Sequence, residues 1–182
     1  NLVNGFMFQV VTFHGGTGDD TLTFAYFGAG ALDGGEYHVG PTVDAGKVVH
    51  EANSKTQTVF FTGLEPVIDL VAGPLSIFAT AGDNTINYGP AATATRGLIS
   101  IDNFETIEFA NKTTVAIDAG AGTDAISVAA TTAGFSGVLT VNGGDPTDAD
   151  SLTVTGAGTT LGINLGTSSI TGAGPTSISY SG

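Results

Sequence analysis

Through the second half of the chain, apolar residues alternate with Thr, Ser and Ala. Val115 and Ile117 share one face of a segment, as do Ile126 and Val128, Leu139 and Val141, and Leu152 and Val154. Leu161, Ile163 and Leu165 continue the series, followed by Ile170 and then by Ile178 and Tyr180. A period of two puts such residues on one side of a β-strand. The clusters of Gly, Asp, Asn, Thr and Pro between them suit tight turns. Corresponding strands recur roughly every 22 to 26 residues, a spacing found in stacked coils. The pattern predicts an all-β fold of parallel β-solenoid or β-helix-like form, with the inward residues building a continuous core. An antiparallel β-sandwich is the alternative, because it also produces short alternating strands with frequent turns.

The first half departs from this regularity in two places. Phe6 to Phe13 is apolar on both alternating faces, as in a strand covered from both sides. Residues 1–13 are therefore read as an N-terminal strand that either joins its own core or docks onto a neighbouring subunit through Phe6, Phe8, Val10, Val11 and Phe13. Residues 14–182 form a single β-rich domain in this reading. Within it, residues 28–55 are a less regular excursion, rich in Gly, holding Pro41 and carrying His38, His50, Asp33, Glu36, Asp44 and Glu51. A short strand near Tyr37 to Val39 and a short helix over 48–54 are expected there. Further strands are expected at 21–27, 58–62, 67–71, 75–80, 98–102 and 106–109.

Composition narrows the partners. Charged residues are 12% of the chain, so the surface is built largely from Thr, Ser, Asn, Gly and Ala, as suits an extracellular protein. The formal net charge is −13, with only Lys47, Lys55, Arg96 and Lys112 positive. Phosphate recognition needs clustered Lys and Arg, so a nucleic-acid partner is not expected, nor an anionic membrane surface. Divalent cations are the natural counter-ions. With no cysteine there is no thiolate metal site, thiol nucleophile or disulfide. No apolar run reaches the length of a membrane-spanning helix, so membrane insertion is not expected. The chain begins at Asn1, which reads as a processed product or a piece of a longer protein.

Candidate chemistry gathers in the Gly/Asp turns. Gly15 to Thr23 resembles the nine-residue repeat Gly-Gly-x-Gly-x-Asp-x-apolar-x of RTX proteins. Ala119 to Ser127 is close to it, with Asp124 and Ile126 at the Asp and apolar positions, and Gly143 to Thr153 is a loosened copy. The resemblance implies calcium, with Asp20, Asp124, Asp145, Asp148 and Asp150 as candidate ligands. Asp145, Asp148 and Asp150 bring three carboxylates into one short loop. The alternative is that the glycines and aspartates only form turns, each carboxylate capping backbone N–H groups. Catalysis is not expected: one Arg and three scattered Lys do not make the Asp–Arg/Lys cluster of a polysaccharide lyase, and His38 and His50 lack ligand spacing. Asn111-Lys112-Thr113 is an N-glycosylation sequon and makes Asn111 a candidate sugar site.

The Gly/Asp/Thr-rich turns, Thr-rich strands, acidity and missing cysteine together resemble the repetitive cell-surface and extracellular proteins of aquatic bacteria. Phe61 to Val67 and Asp102 to Phe109 look like phrases from such repeats. The resemblance implies surface display, adhesion or assembly. The expected function is a structural subunit of an extracellular filament or surface array that assembles head to tail with itself by strand addition. A calcium-dependent adhesin or a module that binds extracellular polysaccharide is the alternative, and a β-helical polysaccharide-active enzyme stands third.

Overall fold

A computed structural model describes residues 2–3, 6–7, 9–25, 30–129, 134–135, 137–145, 149–156, 162–164, 166, 168–172 and 177–182, with the side chains of 2, 3, 6, 7, 163 and 164 excepted. In chain order the strands are Leu2–Val3 (β1), Phe6–Met7 (β2), Val10–His14 (β3), Leu22–Phe24 (β4), Gly34–Val39 (β5), Ala45–Ala52 (β6), Lys55–Thr62 (β7), Val67–Asp69 (β8), Gly73–Phe78 (β9) and Thr85–Pro90 (β10). They continue with Gly97–Ile101 (β11), Ile107–Phe109 (β12), Lys112–Asp118 (β13), Ala125–Ala129 (β14), Val138–Asn142 (β15), Ser151–Thr155 (β16), Gly162–Asn164 (β17), Ser169–Thr171 (β18) and Ser177–Ser181 (β19). No helix occurs among the described residues.

β1 and β2 pair with each other alone, and the rest form two sheets. A ten-stranded sheet runs β17-β18-β19-β15-β13-β9-β5-β6-β7-β3, and a seven-stranded sheet runs β16-β14-β10-β11-β12-β8-β4. The chain passes from the larger sheet to the smaller at β3→β4, β7→β8, β9→β10, β13→β14 and β15→β16. Strands reached by this alternation pair in parallel: β9 with β13, β13 with β15, β10 with β14 and β14 with β16. Antiparallel ladders occur at β5-β6-β7, β10-β11-β12 and β17-β18-β19. Both sheets are thus mixed, and neither closes into a barrel.

The two sheets share one apolar core, to which strands of both contribute inward residues, and Leu32, Ala52 and Val71 form a small second cluster that Phe24 also touches. In the larger sheet, pairing aligns Tyr180, Val141, Ile117, Ile77, Tyr37, Val48, Val59 and Val11 in one row. In the smaller sheet, Leu152, Ile126, Ile86 and Ile101 form another. Ile117, Ile126, Val128, Leu139 and Val141 are buried, as their spacing predicts. Leu152 and Val154 lie half-buried on the edge strand β16. Leu161 and Leu165, and the side chain of Ile163, lie outside the described residues.

Two expectations are corrected. Residues 48–54 do not form a helix: β6 runs through Ala52, bonded to β5 on one side and β7 on the other, and two complete ladders outweigh a weak local preference. The excursion at 28–55 therefore contains two of the longer strands. The 22-to-26-residue recurrence holds only in part. Asp124 and Asp150 are 26 residues apart, but Asn84 and Asp124 are 40 apart, because β11 and β12 are inserted between their turns.

The shared interior makes a direct prediction. Ile126→Asp should cost on the order of 4 kcal/mol, combining lost apolar transfer with a buried unpaired charge. Thr140→Asp, on the exposed face of β15, should stay within about 0.5 kcal/mol. Urea unfolding of the two variants measures the difference.

Candidate functional site

The turns leading from the larger sheet to the smaller are stacked on one another. Gly15 N donates to Thr62 O, Ala79 N to Asp118 O, Ala119 N to Asn142 O and Gly143 N to Ser181 O. On the exit side, Glu65 N donates to Asp20 O, Ala125 N to Asn84 O and Ser151 N to Asp124 O. Glycine permits this approach. At Gly144, with φ of +109°, a Cβ would fall 1.6 Å from Gly120 O.

Carboxylates thread through the stack. Asp124 Oδ1 accepts from Asn84 N at 2.7 Å, and Asp150 Oδ1 accepts from Asp124 N at 2.9 Å. Asp83 Oδ1 accepts from Thr123 N at 2.9 Å. Asp102 accepts from Thr85 N and Asn84 Nδ2, both at 2.7 Å. Each aspartate thus binds a backbone N–H of a neighbouring turn, which is the capping role foreseen for a turn residue. The second oxygens of Asp124 and Asp150 are buried without a hydrogen-bond partner. Burial raises the Asp124 pKa, the Asn84 N–H opposes that, and the charges of Asp150, Asp83 and Asp102 raise it further.

Of the predicted ligands that the structure describes, two come together. Asp124 and Asp150 meet. Asp20 is half-buried in the β3–β4 turn, Asp145 is exposed, and Asp148 lies outside the described residues. Among the described residues no group of three or more His, Asp or Glu side chains is arranged to hold a metal. Asp124 and Asp150 would supply two free oxygens of the six to eight that calcium takes. Asn111 is exposed in the β12–β13 turn, and its Nδ2, the atom a sugar would occupy, donates to Leu70 O at 3.0 Å.

The assembly residues divide. Phe8 and the side chain of Phe6 lie outside the described residues, and β2 pairs with β1 rather than continuing into β3. Val10, Val11 and Phe13 belong to β3, which pairs in parallel with β7 of its own chain. β3 forms one edge of the ten-stranded sheet, with Val10 69% and Phe13 37% exposed.

A second charged site was not anticipated. Asp69, at the end of β8, is fully buried. Its Oδ2 lies 2.9 Å from Lys112 Nζ and 3.1 Å from His50 Nε2, and its Oδ1 accepts from Val71 N at 3.0 Å. Lys112 Nζ also donates to Val71 O at 2.5 Å. Lys112 and His50 are each 2% exposed, and Phe24 meets the His50 ring edge-on. Burial raises the Asp69 pKa, but the hydrogen bond from His50 and the charge of Lys112 outweigh it and hold the carboxyl below its ordinary value. Burial lowers the Lys112 pKa, partly offset by Asp69. The first shift favours the ion pair and the second the neutral amine. The sequence carried one signal of this site: alternation puts Asp69 on the same inward face as Val67.

A third feature is Glu105. Its carbonyl accepts from the buried Tyr37 hydroxyl at 2.6 Å. Its carboxyl is pushed up to about 7, by burial first and then by the charges of Glu65 and Asp44.

Searches against protein-family models, curated proteins and solved structures return no match to this chain.

Glu105 sets a pH dependence. Its pKa is higher in the folded chain than the ordinary 4.5, so folding takes up a proton between pH 4.5 and about 7. Its stabilising contribution is complete below 4.5 and is lost as pH rises through about 7. Glu105→Gln should remove that slope, a change of about 1–2 kcal/mol after solvent screening. Urea midpoints of wild type and variant across this range test it, and parallel slopes would contradict it.

Proposed function

We propose that this chain is a structural subunit that polymerises head to tail with itself into an extracellular filament or surface array, without catalytic activity. In this reading its parallel strands are coils of a β-solenoid interrupted by antiparallel insertions, and each copy continues the winding of the last.

The observation that carries the reading is the chemistry and polarity of the sheet edges. β3 and β4 bound the two sheets at one end, and β17 and β16 bound them at the other. These strands read Val-Val-Thr-Phe-His, Leu-Thr-Phe, Gly-Ile-Asn and Ser-Leu-Thr-Val-Thr. None contains the Lys, Pro or inward charge that normally blunts an exposed edge. The pairing directions make β4 and β16 parallel to each other, and β3 and β17 likewise. A second copy added by translation extends both ladders without inverting a strand. Such a contact is heterologous and open, which is the geometry of a filament. Strand addition supplies main-chain hydrogen bonds at the junction. The core also opens at the β16 end, where a cavity of about 260 Å³ is lined by Ile126, Val141, Leu152 and Tyr180. Half-buried Leu22 and Phe24 of β4 are apolar groups of the right kind to meet it.

A calcium-dependent adhesin is the second reading, favoured by the buried unpaired oxygens of Asp124 and Asp150. There, a cation would rest on those two carboxylates and on carbonyls of the stacked turns.

One assembly assay separates the two readings. With a net charge of −13, copies repel one another, so sodium chloride should promote assembly as screening shortens the range of that repulsion. Thr153→Lys on β16 should abolish fibres in negative stain and leave a monomer in sedimentation, while changing stability by less than about 0.5 kcal/mol. Wild type that stays monomeric at all salt and protein concentrations would overturn the filament. Stabilisation specific to calcium at matched ionic strength, lost in Asp150→Asn, would support the adhesin reading.

A further inference from the structure

The buried site at Asp69 has a geometry beyond that of a salt bridge. Three groups converge on one carboxyl, and each suits a different part of acyl transfer. Lys112 Nζ, the nucleophile, lies 2.9 Å from Oδ2 and is oriented by its bond to Val71 O. Val71 N–H holds Oδ1 at 3.0 Å, where negative charge would develop in a tetrahedral intermediate. His50 Nε2 lies 3.1 Å from Oδ2, the oxygen that would depart. The side chains of Lys112 and Asp69 are both fully buried.

We propose that Lys112 and Asp69 condense to an intramolecular amide that covalently ties the two sheets together. The Nζ lone pair attacks Cγ of Asp69 and a C–N bond forms. The electron pair of the carbonyl moves to Oδ1 and returns as Oδ2 leaves. Of the three protons on the ammonium, one remains on the amide nitrogen and two leave with Oδ2 as water, with His50 relaying a proton to the departing oxygen. Nothing is oxidised or reduced, and no further reactant is needed.

Two physical effects favour the product here over the separated ions in water. In bulk solvent, hydration stabilises ammonium and carboxylate, and condensation is uphill. A dry interior withdraws that hydration, so the ion pair bears a desolvation cost that a neutral amide avoids. The fold also holds the two groups in contact, replacing a bimolecular encounter with an effective concentration far above any attainable in solution. The bond would join β8 of the seven-stranded sheet to β13 of the ten-stranded sheet, two segments 43 residues apart in sequence. This inference stands apart from the assembly reading, since it needs only the folded monomer.

Mass spectrometry of the denatured wild-type protein tests it. The intact mass should be short by one water, and Lys112→Arg should restore the full mass. Because the readout is taken in the denatured state, it does not depend on how well the variant folds. Dehydration of the Asp33-Gly34 dipeptide to a succinimide would give the same mass, so the position must be mapped. Trypsin can cut only after Lys47, Lys55, Arg96 and Lys112. The cross-link predicts that residues 56–96 emerge joined to residues 97–182, uncut at Lys112. A full intact mass, a deficit confined to the peptide containing Asp33, or free peptides 97–112 and 113–182 would each overturn it.

Discussion

One parity governs this molecule. Most strands in the two large sheets turn alternate residues towards a shared interior, and a slip of one residue in such a strand would exchange its apolar and polar faces. The row that crosses the larger sheet, from Tyr180 through Ile117 and Tyr37 to Val11, keeps this register across the ladders. The same parity draws Asp69 and His50 inside, since they share faces with Val67 and Val48. A carboxylate on the core side needs a cation, and Lys112 at the start of β13 supplies it.

The turns follow a different economy. Where strands stack in parallel, the connections stack as well, and the aspartates that cap one turn's N–H groups come from its neighbour. This gathers negative charge along one rim, where burial first and then the neighbouring carboxylates raise the pKa of Asp124 and of Glu105. In the proposed filament, that rim and the net charge of −13 would set how closely copies approach.

The alternation of Ile117, Ile126, Val128, Leu139 and Val141 made their strands and their burial legible, because period two has one structural meaning. Strand direction was not legible. The same short strands serve parallel and antiparallel ladders, and this fold uses both. Residues 28–55 read as irregular because Gly34, Gly35 and Gly46 dilute the pattern, although Gly46 lies where a Cβ would meet the Phe61 ring at 2.4 Å. The turn aspartates were legible as cappers, but which turn each one caps is set by stacking across 40 and 26 residues. The Asp69, Lys112 and His50 site was hidden for the same reason: positions 50, 69 and 112 meet only once both sheets are assembled. Lys112 was further disguised as the middle residue of a sequon.

The central claim is that uncharged edge strands of matching polarity seat a second copy. Hydrogen–deuterium exchange, compared between dilute and concentrated protein, tests it most directly. The account predicts that amides of Val10 to His14 and Ser151 to Thr155 gain protection with concentration, while central strands such as Val115 to Asp118 stay protected in both. Edge amides that exchange at the same rate at both concentrations would contradict it.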